Sequence, residues 1–294
     1  MAGDHTSSTG ISRPLVFLAT CSIFPEGEAG GVHLSSVLAK RGIDSSWVSW
    51  NDPAVDWDSA DIIAIRSTWD YDSHLEEFLD WAARLDPTKL LNPAAALRWN
   101  INKAYLIALQ AAGVPTVPTV YAETVNAVHK AIPTGEKAVV KPATGVNGFG
   151  VEVVLGPDAS WVPSWKGPWV VQPFVESVQI EGERAVFMLD GKVTIQLLKT
   201  AAVGQFRINE DYGGRTAQEP LSDDAVAIAN MAVNAAEEIL GTKLGYARVD
   251  LLRYNGRLVV SELEITEPGL YLDIVPAHAE PYADLIQRRI SSRP

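Results

Sequence analysis

The stretch Ala138–Glu152, AVVKPATGVNGFGVE, carries the residues best suited to handling phosphate. Val139-Val140 is a β-type apolar pair that delivers Lys141. A loop with Gly145, Gly148 and Gly150 follows, and then a second β-rich run, Val151–Leu155. Glycines give such a loop positive φ angles and close backbone approach, so its N–H groups can face phosphate oxygens. Lys141 adds a mobile cation aimed at the same place. No helical pattern follows, so this is neither a Walker loop nor a dinucleotide fingerprint. From these residues alone, a phosphate cradle and an ordinary hairpin with a surface lysine are both open.

The second candidate lies downstream, in a hairpin of Gly245–Leu252 and Arg257–Leu263 turning at Tyr254-Asn255-Gly256. Arg248 and Asp250 are two apart in one strand and share a face, as do Glu262 and Glu264 on the partner strand. Register can therefore converge three carboxylates and one guanidinium. Crowded carboxylates repel unless a cation sits among them, and hard oxygen ligands with open positions suit magnesium bridged to substrate phosphates. A solvated polar ribbon is the alternative, but it leaves the apolar Val249, Leu251 and Leu263 on the other face without a purpose.

A third candidate is Arg66-Ser67-Thr68-Trp69-Asp70-Tyr71, a guanidinium, two hydroxyls, two aromatics and a carboxylate at the exit of the strand-like DIIAIR. Ligands of open α/β sheets gather beyond the carboxyl ends of strands, so the hexapeptide is expected to meet a substrate. A cap on the next helix, from Asp72 or Ser73 with Glu76-Glu77 in the first turn, explains part of it but not Arg66.

These residues need elements to position them. Pro14–Cys21 reads as a buried strand, a helical pattern through Leu34, Val37 and Leu38 ends at Gly42, and Trp47–Trp50 and Asp61–Arg66 read as strands. That order predicts a small doubly wound α/β domain. His74–Leu85 is helical, Leu90–Pro93 a short strand, and Ala94–Ala112 helical with an interruption near Trp99-Asn100. Strand Val117–Tyr121, helix Thr124–Ala131, the lysine–glycine hairpin and the strand Trp169–Phe174 follow, the last with a hinge-like exit. Arg184–Leu189 and Lys192–Lys199 pair around Asp190-Gly191, a strong hairpin signal, and Asp223–Leu240 is a long amphipathic helix closed by Gly241. The division expected is a disordered tail over 1–13, an N-terminal α/β substrate domain over 14–98, and two α+β units over 99–176 and 177–294.

Composition bounds the partners. With 294 residues, a net charge of −12 and 47% hydrophobic residues, the chain has a real core and lacks the basic face of a duplex nucleic-acid binder. The single cysteine, Cys21, excludes an intramolecular disulfide framework, and the five histidines show no metal spacing. No run of about 18 apolar residues predicts a membrane span, so no membrane partner and a cytoplasmic location are expected. Association into a homo-oligomer is left open.

Taken in order, three motifs resemble the ATP-grasp superfamily of carboxylate–amine ligases over about two thirds of the chain: Lys103 opening a helix that ends in AAGVPTVPT; VVKPATGVNGFGVE with a later VVQPFVE; and ARVDLL followed by VVSELEITEPG. The resemblance implies an ATP-grasp fold whose last two units clamp ATP. It implies that Lys103 and Lys141 touch the α and β phosphates, that the loop of Gly145, Gly148 and Gly150 covers the triphosphate, and that Gln172, Phe174 and Val175 line the adenine pocket. It further implies a ribose contact from Glu181 or Glu183 and magnesium held by Asp250 and Glu262. The family has asparagine where Glu264 stands, which leaves the role of that third carboxylate open. Phe206-Arg207-Ile208-Asn209 and Gly213-Gly214-Arg215 resemble the segment that carries an arginine over the γ-phosphate and the acyl acceptor, and Arg248 the arginine that steadies an acylphosphate.

RSTWDY, the LLNP…LRWNINKAYL run and ELEITEP also resemble a smaller group, the O-ureidoserine cyclo-ligases of cycloserine biosynthesis. These activate a substrate's own carboxylate for attack by its own nitrogen. The implied substrate is a small amino-acid-type molecule, with Arg66–Tyr71 and Arg215 reading it. The residues alone do not separate this from an intermolecular ligase of the glutathione-synthetase kind, a small-molecule kinase, or a nucleotide-binding regulator. Intact Lys103, Lys141, Asp250 and Glu262 argue against the last.

Overall fold

The computed structural model describes residues 13–146, 148–156 and 160–293, so all of the expected tail but Arg13 lies outside them. Strands β1 (Leu15–Thr20), β2 (Asp44–Ser49) and β3 (Ile62–Ser67) form a parallel sheet in the order β2–β1–β3. Alternation along β1 and β3 divides their side chains between two cores. Val16, Leu18, Ile62 and Ala64 face α1 (Gly31–Lys40) and a helix from the far end of the chain. Ala19, Ile63 and Ile65 face α2 (Leu75–Arg84) and α3 (Ala94–Ile101). This is the expected doubly wound arrangement.

The strand expected at Leu90–Pro93 is reduced to one isolated bridge between Ile63 and Leu90. Pro93 has no N–H to donate and caps α3 instead, while the Asn92 side chain donates to Tyr246 O at 2.9 Å and Ile265 O at 2.7 Å. The next break separates α3 from α4 (Tyr105–Ala111) at Asn102–Ala104, where Asn102 Oδ1 accepts from Ala104 N at 2.9 Å.

Strands β4 (Val120–Ala122), β5 (Lys137–Pro142), β6 (Glu152–Leu155) and β7 (Trp169–Pro173) form an antiparallel sheet in the order β4–β7–β5–β6. Its helix α5 (Val125–Ala131) is capped by Thr124, whose Oγ1 accepts from Ala127 N at 3.2 Å. The glycine loop is the β5–β6 connection.

After the single turn α6 (Ser177–Ile180) come β8 (Glu183–Leu189), β9 (Lys192–Thr200), β10 (Arg215–Glu219), α7 (Asp223–Leu240), β11 (Tyr246–Tyr254) and β12 (Arg257–Glu264). The five strands pair antiparallel in the order β10–β9–β8–β11–β12. Both expected hairpins form, with Asp190 and Gly191 at φ 53 and 74 and Asn255 and Gly256 at φ 50 and 80. One face, including Val186, Met188, Val249, Leu251 and Leu263, packs on small residues of α7 such as Ala225, Ala229 and Ala232. The other, through Ala185, Phe187, Ile195, Leu197 and Tyr246, meets the final helix α8 (Ala279–Ser291). Neither β10 nor α8 was anticipated: β10 reads RTAQE, with no apolar alternation, and α8 carries four charged residues among its thirteen. α8 returns to α1, where Arg41 pairs with Glu280 at 2.6 Å and Asp284 at 2.5 Å.

Candidate active site

A cleft of about 560 Å³ lies between the glycine loop, the polar end of the five-stranded sheet and the exit of β3. Its charged floor follows from strand phase. Lys199 continues the inward face of Ile195 and Leu197, and register sets it against Glu183. Asp250 pairs in register with Glu262 and Arg248 with Glu264, as two-residue spacing requires.

The carboxylates do not form a bare triad. Arg248 makes a bidentate contact with Asp250, at 2.9 Å from Nε and 2.8 Å from Nη2, and also pairs with Glu264. Lys199 bridges Glu183 at 2.9 Å and Asp250 at 3.3 Å, while Lys103 pairs with Glu262 at 3.1 Å. Repulsion among the acids is thus offset by protein cations, and among the described residues no group of three metal-ligating side chains is poised for an ion. The three carboxylates and the guanidinium converge, as register allows; what differs from the expectation is that lysines and Arg248 sit among them. The donors still suit magnesium: three hard carboxylates on one sheet face, with the Glu262 and Glu264 side chains 29% and 31% exposed. Holding the ion would require Arg248 and Lys103 to change partners.

Charge placement shifts the acidities. Burial pushes Glu262 up, but Lys103 and Lys141 outweigh it and hold the carboxyl down at about 2. For Asp250, Arg248 and Lys199 likewise overcome burial and lower it. Burial dominates at Glu264, raised to about 7, and at Glu267, raised to about 8 with Glu264 adding to it. Burial, with Lys103 nearby, lowers Lys141 although Glu262 opposes it.

The phosphate-side candidates converge. Lys103 Nζ donates to Gly145 O at 2.8 Å, and its backbone N to Ala143 O at 2.7 Å, tying α4's approach to the glycine loop. Lys103, Lys141, Gly145 and Gly148 all line the cleft. Gly150 does not, but its φ of 69 shapes the loop, and a Cβ there would lie 2.8 Å from Pro142 and 2.9 Å from Trp165. Arg207 and Asn209 also reach the cleft. Arg207 Nη2 donates to Val151 O at 2.6 Å, its guanidinium lies 4.9 Å from the ring centres of Phe206 and Tyr212, and its buried Nε has no partner among the described residues.

Other expected contacts are displaced. Gln172 donates to Thr119 Oγ1 at 2.9 Å, and Val175 packs with Val117 and Val259, so these side chains serve a small core. Phe174 leans edge-on to Phe206 at 6.3 Å, and the apolar cleft wall is made by Val139, Val178 and Phe206 instead. Of the two acids proposed for ribose, Glu183 lines the cleft, whereas Glu181 is drawn off by Arg253 at 2.9 Å. Arg215 is exposed at the start of β10, and alternation gives the cleft Thr216.

The hexapeptide divides in the same way. Arg66 is fully buried: it pairs with Glu28 at 2.9 Å, donates to Pro268 O at 2.5 Å and stacks 4.9 Å from the Tyr282 ring. A guanidinium so enclosed does not touch a ligand, which corrects its direct assignment to the substrate. Ser67 bonds the Thr20 hydroxyl at 2.7 Å, Thr68 is buried, and Asp70 accepts from Trp50 Nε1 at 2.7 Å. Only Trp69 and Tyr71 face the cleft. Sequence reasoning missed Glu28, Lys199 and Glu267. The signal available for Lys199 was its place in the apolar phase of β9; the acids stand in loops, without periodicity.

Comparison with known proteins agrees with this geometry. Residues 16–92 match the N-terminal domain of D-cycloserine synthetase DcsG, and residues 103–271 match the ATP-grasp domain of prokaryotic glutathione synthetase. The chain is 31% identical over 270 residues to the cycloserine biosynthesis protein DcsG of Streptomyces lavendulae, covering 85% of this chain and 90% of that one. The crystal structure of D-cycloserine synthetase DcsG superposes with a TM-score of 0.81 at 26% identity, over 94% of this chain and 99% of the other. D-alanine–D-alanine ligase from Bacillus anthracis shares the fold at a TM-score of 0.65 and 19% identity, over 95% and 97% of the two chains.

Proposed function

Because the chain belongs to the ATP-grasp family of ATP-dependent carbon–nitrogen ligases, in the group that contains DcsG, we propose that it closes a ring within a small amino acid of the O-ureidoserine type. The observation that carries this reading is one cleft in which Lys103, Lys141, Lys199, Arg207 and Arg248 face a substrate wall, Trp69 and Tyr71, supplied by the DcsG-like N-terminal domain. An intermolecular ligase is favoured by the glutathione-synthetase match, which covers the ATP-handling region but not that wall.

In this reading Lys103, Lys141 and the glycine loop hold the triphosphate. A substrate carboxylate oxygen attacks the γ-phosphorus, the bond to ADP breaks, and an acylphosphate forms on the substrate. Arg207 and Arg248 stabilise charge on the transferring oxygens, with Asn209 beside them. The substrate's nitrogen then attacks the acyl carbon and phosphate leaves. Asp250, Glu262 and Glu264 would hold magnesium, which when bound offsets the charge of the triphosphate. The division at residues 14–98, 99–176 and 177–294 and a cytoplasmic location belong to the same reading; no helix among the described residues is long and apolar enough to cross a membrane.

ADP release with O-ureidoserine alone, and with amino acids singly and in pairs, tests it. Turnover with a single substrate is expected, and turnover only with pairs selects the intermolecular reaction. Oxygen-18 placed in the substrate carboxylate is expected in the released phosphate; label absent from phosphate during turnover rules out the acylphosphate.

A further inference from the structure

Most of the carboxylates that line the cleft are committed to internal partners. Glu183, Asp250, Glu262 and Glu264 each pair with a lysine or arginine. Glu28 is held by Arg66 through one oxygen and by Leu270 N through the other. Glu210 and Asp273 also line the cleft but are solvent-exposed. Glu267 differs: it is half-buried, it lines the cleft, and none of the ion pairs among the described residues includes it. Its hydrogen-bonding neighbour is the neutral Tyr71 hydroxyl. The nearby cations are engaged elsewhere, Arg248 by Asp250 and Glu264 and Lys103 by Glu262 and Gly145 O.

The backbone around Glu267 is fixed. Trp69 Nε1 donates to Glu267 O at 3.1 Å, and the buried Arg66 donates to Pro268 O at 2.5 Å. Trp69, Tyr71 and Phe24 surround this end of the cleft with aromatic surface, and Phe24 meets Trp69 edge-on at 5.2 Å. A half-buried carboxylate without a counter-charge is unfavourable unless a ligand brings one. Aromatic faces beside it attract the same kind of group.

We propose that Glu267 is the anchor for the substrate's ammonium group, with Trp69 and Tyr71 as the walls of that subsite. The inference rests on the reading of the substrate as an amino acid. It adds polarity to the cleft: carboxylate toward Arg248 and the phosphates, ammonium toward Glu267. It also explains why the β3 exit is built as it is. Arg66 acts one step removed, as a positioning residue that holds the segment bearing Glu267.

The test compares steady-state ADP release by wild type, Glu267→Gln and Glu267→Asp, using O-ureidoserine and the same molecule without its α-amino group. If another amino acid supports turnover, it and its desamino analogue are used. Loss of a charge-assisted contact is expected to raise KM for the amino substrate about 10- to 100-fold in Glu267→Gln, and less in Glu267→Asp. KM for ATP is expected to stay within about twofold, since no phosphate contact changes. The desamino analogue, unable to use the carboxylate, is expected to show equal KM in wild type and Glu267→Gln. An unchanged KM for the amino substrate, or an equal loss with both molecules, overturns the assignment and leaves the proposed function standing. No turnover by wild type with any amino acid overturns both. Melting temperatures confirm that the variants are folded.

Discussion

At the scale of single residues, the site depends on where charge is compensated and where it is not. Lys141 sits beside Lys103, with both cations acting on Glu262. Truncation of Lys141 leaves Glu262 its Lys103 partner, so the fold is expected to survive. Lys141→Ala should raise KM for ATP at least about tenfold, the usual worth of a charged phosphate contact, with a small change in melting temperature. Unchanged nucleotide affinity in the folded variant would remove Lys141 from the phosphate site. Glu267 gives an opposite signature. Burial raises its carboxyl to about 8, above its ordinary 4.5, so the fold retains a proton that the unfolded chain has lost. The resulting destabilisation is absent below about pH 4.5 and grows as pH rises toward about 8. Glu267→Gln should therefore be more stable than wild type near pH 8, with the difference shrinking toward pH 4. Parallel stability curves across that range would contradict the uncompensated charge.

At the scale of elements, two connections do most of the positioning. The β5–β6 loop needs glycine at position 150, where φ is 69 and a Cβ would meet Pro142 and Trp165 below 3 Å, at 2.8 and 2.9 Å. At Gly145 the backbone does not need positive φ, and the nearest atom to a Cβ is 3.8 Å away. Gly150→Ala should lower both melting temperature and ATP affinity, whereas Gly145→Ala should leave stability within about 0.5 kcal/mol. Equal stability of the two variants would show that the loop is not shaped by this contact. The β11–β12 hairpin positions by register rather than by strain. A bulge follows Asp250, keeping Asp250 opposite Glu262 while Leu251 lies opposite Val260. One sheet face thereby carries the charges, and the other packs on α7.

At the scale of the molecule, the cleft is closed by segments distant in sequence. Gly30, at φ 73, approaches so closely that a Cβ would lie 2.3 Å from Asp273 N. Beside it, Glu28 of the β1–α1 loop and Arg66 of β3 bind the backbone of Leu270 and Pro268. This buried pair joins the N-terminal sheet to the segment that follows the β11–β12 hairpin. Arg66→Ala leaves Glu28 buried without its cation, and the expected loss is about 3–5 kcal/mol. That appears as a clear fall in melting temperature, with KM for ATP unchanged in whatever enzyme remains folded. A wild-type melting temperature combined with a large rise in the amino-acid KM would restore Arg66 as a direct substrate contact.

The sequence by itself determined the local elements and the lysine–glycine and hairpin motifs, because these rest on short-range regularities. Period-two spacing placed Arg248, Asp250, Glu262 and Glu264 on one face, and turn chemistry at Asp190-Gly191 and Asn255-Gly256 set both hairpins. The helix Asp223–Leu240 follows from its own amphipathic period and its glycine stop. What only tertiary structure decided is which polar side chains face the cleft. Arg66, Gln172 and Glu181 have the right types at plausible positions, yet Glu28, Thr119 and Arg253, each distant in sequence, claim them. Lys199, Glu28 and Glu267 enter the site for the converse reason: their surroundings are assembled by strand pairing and by loop contacts across the chain. A charged group's role depends on its nearest opposite charge and its access to water, and both are properties of packing rather than of sequence neighbours.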